Sequence, residues 1–235
     1  MSGYNGGYLT PEALLLMRLA LFDLDNTLLR GDSDHAWGEF LISKGLVDAS
    51  DHASSNDHFY QQYTNGRLDI NEYVRFTLGP VLGMSIADLD VLHTEFMREF
   101  VYPMFLPKAR DLIAYHKNEG DFCLVLSATN SFITHPIAAA LEVDGILATD
   151  LVVAEDRYTG EIAGIPCFQE GKVRKLEQWI GLQNEKFILE ESIFFSDSIN
   201  DLPLLKAVAT PIAVDPDQQL EQFAKQNSWQ ITSLR

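Results

Sequence analysis

Leu21-Phe-Asp-Leu-Asp-Asn-Thr-Leu-Leu29 is an apolar run that ends in two aspartates, spaced i and i+2, followed by a threonine. In extended chain, alternate residues share a side, so Asp23 and Asp25 should leave the end of one strand together. Two carboxylates held close cannot both ionise cheaply without a cation, which invites either Mg²⁺ or a shared proton. A division of labour follows, with one carboxylate a nucleophile beside a metal and the other a general acid and then a base. An isolated Asp-x-Asp is commonly a solvated turn or a helix end, so the reading depends on what surrounds it.

Three further stretches have the same form. Ile193-Phe-Phe-Ser-Asp-Ser-Ile-Asn-Asp-Leu-Pro203 is an apolar strand running into Asp197 and Asp201, with Asn200 between them. Their i, i+4 spacing predicts a turn into a helix with both acids directed at one ion. Leu124-Val-Leu-Ser-Ala-Thr-Asn130 places Ser127 at a strand end, where its hydroxyl and the backbone from Ala128 onward would meet a phosphate at a helix start. Gly171-Lys-Val-Arg-Lys175 opens a helix with Lys172, a point charge for phosphoryl oxygens. All four groups fall at the carboxyl ends of expected strands, the edge where open α/β sheets bind ligands.

The spacing between these stretches predicts the architecture. Short apolar runs at 18–22, 122–127, 146–153, 192–196 and 211–214 alternate with helical patterns, and a last strand is expected at 229–232. Runs of this kind are strands of a sheet covered on both faces. The expected fold is α/β, a doubly wound, mostly parallel sheet with a Rossmann-like core. About a hundred residues separate the first two strands, too many for an ordinary crossover. They carry amphipathic patterns of their own, such as Ile86, Leu89, Leu92, Phe96 and Phe100, and predict an inserted all-helical cap. The expected division is an extension at 1–16, a core at 17–30 and 105–235, and a cap at 31–104.

The 235 residues carry a net charge of −17. That balance argues against nucleic acid and against anionic membranes, both of which select basic faces. It does not argue against a phosphate substrate, because distant acids are screened beyond ~8 Å at physiological salt. Two cysteines, Cys123 and Cys167, lie far apart. Together with an N-terminus unlike a signal peptide, they predict a cytoplasmic protein.

The order and spacing of the motifs resemble the haloacid dehalogenase superfamily, in the branch that contains phosphoserine phosphatase. The similarity rests on Asp23, Asp25 and Thr27, on Ser127, on Lys172, and on Asp197, Asn200 and Asp201. It implies a phosphomonoesterase in which Asp23 attacks phosphorus, while Asp25 protonates the leaving oxygen and then activates water. Thr27, Ser127, Ala128, Lys172 and Asn200 would contact the phosphoryl group. Mg²⁺ would be held by Asp23, the carbonyl of Asp25 and Asp197, with Asp201 in support. Phosphotransfer to another acceptor, or a regulatory module without turnover, would keep the same fold.

The substrate is expected to be a small phosphomonoester. In phosphoserine phosphatases a glutamate nine residues past the nucleophile meets the substrate ammonium, and here that position is Asp32, shorter by one methylene. Asp32 is equally a candidate helix N-cap. With Asp34 and His35 it forms an acidic entrance suited to an amine-bearing phosphate such as phosphoserine or histidinol phosphate. A basic residue facing the pocket, from Arg30 or Arg67, would favour phosphoserine; acids and aromatics alone would favour histidinol phosphate.

Overall fold

A computed structural model describes residues 17–183 and 187–235; the extension expected at 1–16 lies outside them. The chain opens with β1 (Leu19–Phe22), followed by four helices, α1 (Ser33–Ser43), α2 (Ala49–Thr64), α3 (Ile70–Leu78) and α4 (Ile86–Phe96). Next come α5 (Pro107–Asn118), β2 (Phe122–Asn130), α6 (Ser131–Leu141) and β3 (Gly145–Thr149). A hairpin of β4 (Leu151–Ala154) and β5 (Arg157–Ile162) leads to α7 (Glu170–Gly181). The chain continues through β6 (Ile193–Ser196), α8 (Leu202–Ala207), β7 (Thr210–Val214), α9 (Gln218–Gln226) and β8 (Gln230–Thr232).

Six strands form one parallel sheet in the order β3-β2-β1-β6-β7-β8. The chain winds outward from β1 in one direction and then, from β6, in the other. Two central neighbours therefore send their crossovers to opposite sides, and a crevice opens between their carboxyl ends. Strand alternation divides the interior into two cores. Ala20, Phe22, Cys123, Val125 and Phe195 face one side, whereas Leu19, Leu21, Leu124, Leu126 and Phe194 face the other. The Cys123 and Cys167 thiols are free and buried, as apolar packing would have them.

The helical insert does not carry a core of its own. Trp37, Phe40, Leu89 and Phe96 join the same buried cluster as Ala20 and Phe22. The Trp37 ring lies 5.2 Å edge-on to both Phe96 and Phe132, the latter from α6. Entry and exit of the insert run side by side, through an antiparallel bridge between Leu29 and Phe105 and a bond from Arg30 N to Met104 O of 2.7 Å. α1 and α2 cross closely at Gly38, where an added Cβ would stand 2.5 Å from Nδ2 of Asn56. That amide donates to the carbonyl of His35 at 2.9 Å.

Two expectations change. The apolar run at 146–153 is two strands, because the chain leaves the main sheet at Asp150 and β4 pairs antiparallel with β5. Lys175 meets the Asp150 carboxylate at 2.6 Å, and the Asp150 carbonyl accepts from Ala163 N, which pins the corner. Glu155 and Asp156 both take positive φ, as a tight two-residue hairpin requires. The second change is at β2, which runs on to Asn130 instead of stopping at Ser127. α6 follows directly at Ser131, with Asn130 as its N-cap. Among the described residues, no helix is long and apolar enough to cross a membrane.

Candidate active site

Asp23 is the residue just past β1. Its N–H donates to the Phe195 carbonyl of β6 at 2.9 Å, so the ladder extends one step and delivers the carboxylate to the crevice. Lys172, in the first turn of α7, comes in beneath it. The ammonium is 1% exposed and lies 2.7 Å from Asp23 Oδ1 and 2.7 Å from Asp201 Oδ1. Burial works against its charge, but Asp201 and Asp23 outweigh that and hold the lysine protonated well above its ordinary range. Asp23 is raised to about 7, first by burial and then by neighbouring acids, despite the opposing pull of Lys172. Asp197 is raised for the same reasons, burial first and then Asp23 and Asp201. Two carboxylates thus grip a single ammonium, with a third, Asp197, nearby.

Asp25 is held by two donors from distant segments. Ser33 N donates to Oδ1 at 2.6 Å and the Thr129 hydroxyl to Oδ2 at 3.0 Å. Its carboxyl is pushed up to about 7, first by burial and then by Asp32. A group poised there can both give and take a proton near neutral pH. Thr129 was not signalled by the sequence. It is reached through an irregularity in β2, whose register to β3 shifts between Leu126 and Asn130. Ser127 and Ala128 occupy that shift, released from regular pairing as bulges near ligand sites are, and the Ser127 hydroxyl accepts from Thr129 N.

Several expected roles move. Thr27 is fully buried and spends its hydroxyl on Asp197, donating to Oδ1 at 3.1 Å and accepting from its N–H at 3.0 Å. It orients an acid and does not face a phosphate. Asp197 and Asp201 take different partners, Asp197 the Thr27 hydroxyl and Asp201 the Lys172 ammonium. The turn Ile199–Asp201 between them is 3₁₀. Asp201 instead grips Lys172 and accepts from the Ser196 hydroxyl at 2.7 Å. Asn200 turns toward the insert, donating to Tyr63 O at 2.8 Å and accepting from Gln169 at 3.1 Å. Asp32 is the N-cap of α1, with Oδ1 accepting from Asp34 N and His35 N.

One pocket joins these groups. It is lined by Asp23, Asp25, Ser127, Ala128 and Thr129 from the sheet edge, with Asp32 and Asp34 at the start of α1. Phe59, Tyr60, Tyr63, Leu68, Ile70 and Tyr73 of the insert supply the opposite wall. Among the described residues no arginine, lysine or histidine lines it. Arg30 and Arg67 are exposed, and His35 lies beside Asp57 at 3.3 Å.

The haloacid dehalogenase-like hydrolase family model matches residues 20–206, most of the chain and every group described above. The chain belongs to this family. Among haloacid dehalogenase-like relatives, a histidinol-phosphatase of Neisseria meningitidis serogroup C is 43% identical over 94% of this chain and 100% of its own. A crystal structure of a protein of unknown function from Bordetella pertussis Tohama I is 41% identical, with a TM-score of 0.86 over 94% of this chain and 100% of that one. A phosphoserine phosphatase carrying a phospho-aspartyl intermediate analogue shares the fold, at a TM-score of 0.68 and 18% identity over 94% of each chain.

Proposed function

We propose that this hydrolase is a phosphatase of a small alcohol phosphate bearing a cationic nitrogen, of the histidinol phosphate type, working through a phospho-aspartate on Asp23. The observation that carries the reading is the pocket itself: a nucleophile and a proton donor at one end, acids and aromatic rings at the other, and no basic side chain on its walls. A substrate carboxylate, as in phosphoserine, would find no partner there. The 43% identity to a histidinol-phosphatase supports the same choice. In this reading residues 31–104 act as a cap closing over a core of 17–30 and 105–235.

The donor set suits Mg²⁺. Among the described residues no three acidic, histidine or cysteine side chains converge as a cage, and Mg²⁺ is commonly held by one or two carboxylates with the rest supplied by carbonyls, water and phosphate. Asp23, Asp197 and the carbonyl of Asp25 would hold it, and the surplus of carboxylates over Lys172 is the charge it would balance. When bound, it would neutralise charge on the phosphoryl oxygens.

The protein's own residues would do the rest. Lys172 engages Oδ1 of Asp23 and leaves Oδ2 to attack phosphorus. As that bond forms, the ester P–O bond breaks and the protonated Asp25 gives its proton to the departing alkoxide. Asp25, now a carboxylate, takes a proton from water, which attacks the phospho-aspartate and frees Asp23 and phosphate. Ser127 and the backbone at Ala128 would donate to the phosphoryl oxygens, and a closed insert would exclude bulk water. The test is phosphate release from a panel of phosphomonoesters with Mg²⁺, comparing wild type with Asp23→Asn. Selective release lost in the variant is expected; release that survives Asp23→Asn would overturn the assignment.

A further inference from the structure

Four carboxylates line the pocket. Asp23 meets Lys172, Asp25 meets Ser33 N and Thr129, and Asp32 meets two amides of α1. Asp34 is different. It is only 4% exposed, yet its Oδ1 has no hydrogen-bond partner. Buried acceptors are almost always paired, so an exception calls for a specific reason.

Its surroundings supply one. Burial and the nearby Asp32 and Asp25 disfavour charge on Asp34, with the hydroxyls of Thr77 and Tyr73 offsetting this in part. No lysine, arginine or histidine shares the pocket to balance it. The walls beside it are Phe59 and Tyr73, whose rings lie 5.3 Å apart at 48°. Aromatic faces attract cations, and flat faces suit a flat one.

Resting on the phosphatase reading above, we propose that Asp34 is the specificity-determining residue of this site. Its free oxygen accepts from the N–H of a planar cationic ring on the substrate, an imidazolium, seated against Phe59 and Tyr73. Asp32, whose position corresponds to the ammonium-binding acid of phosphoserine phosphatases, is already spent on the helix terminus.

The experiment compares wild type with the isosteric Asp34→Asn, using Asp34→Ser should the first variant not fold. The ratio of kcat/KM for histidinol phosphate over p-nitrophenyl phosphate, which has no cationic ring, should fall at least tenfold, mainly through KM. An unchanged ratio overturns the proposal, as does an equal fall on both substrates. A second arm needs no turnover. Histidinol, which carries the ring and the amine but no phosphate, should raise the melting temperature of the wild type but not of the variant, with inorganic phosphate as the control ligand; equal shifts by histidinol overturn the proposal. If the wild type releases phosphate from neither ester, the phosphatase reading fails, and the histidinol arm still decides the role of Asp34.

Discussion

Lys172 donates to Asp23 across 149 residues of chain, at 2.7 Å, with both side chains withdrawn from solvent. The pair is a structural joint as much as a catalytic one, because the same ammonium also ties Asp201 to the site. Removing one partner of a buried ion pair leaves an uncompensated charge behind.

Lys172→Met should therefore lower both activity and stability. Unfolding in urea should show a loss of ~3–5 kcal/mol, and phosphate release should fall by orders of magnitude. Lys172→Arg should not restore it, since a planar fork cannot take the place of a compact ammonium. A fully stable Lys172→Met protein would show that this buried pairing does not support the fold.

Stability should also depend on pH in a direction that the raised carboxyls dictate. Burial lifts Asp23 and Asp25 from 3.8 to about 7. Between those values the folded chain binds more protons than the unfolded chain, so stability falls as pH rises. Without divalent cation the melting temperature should be lower at about pH 8 than at about pH 5, and added Mg²⁺ should flatten the trend. A metal-free melting temperature that climbs over the same interval would contradict the raised values.

Thr129 holds the proton donor. Its hydroxyl bond to Asp25 favours the carboxylate, so Thr129→Val should keep Asp25 protonated to higher pH. In the proposed mechanism Asp25 must be protonated for the first chemical step, so kcat/KM should decline as pH rises through its pKa. In the variant this decline should move upward by about half a pH unit or more, the worth of one hydrogen bond of ~1 kcal/mol. An identical pH profile would reduce Thr129 to packing.

Much of this was legible from the chain alone. The parallel core follows from short apolar runs separated by helices, and the position of Asp23 and Asp197 follows from their place at the ends of two such runs. What eluded reading is what side chains do after leaving the backbone. The partnership of Thr129 with Asp25 spans 104 residues, and a threonine in an apolar run carries no mark of it. The separate partners of Asp197 and Asp201, the Thr27 hydroxyl for one and Ser196 and Lys172 for the other, are likewise not revealed by their spacing. The break at Asp150 is invisible to hydropathy because β3 and β4 are both apolar, and only Lys175 and the Ala163 amide turn the chain there.

The close crossing of α1 and α2 reaches further than local packing. α2 bears Phe59, Tyr60 and Tyr63, three of the rings that face the catalytic carboxylates. Its distance from α1 is set where Gly38 meets Asn56, and any methyl group at 38 would have to displace that amide from the His35 carbonyl. The gauge of the pocket is thus written in a missing carbon atom, at a residue that does not line it. Relatives differing at this one position would be expected to accept substrates of different girth while keeping identical chemistry.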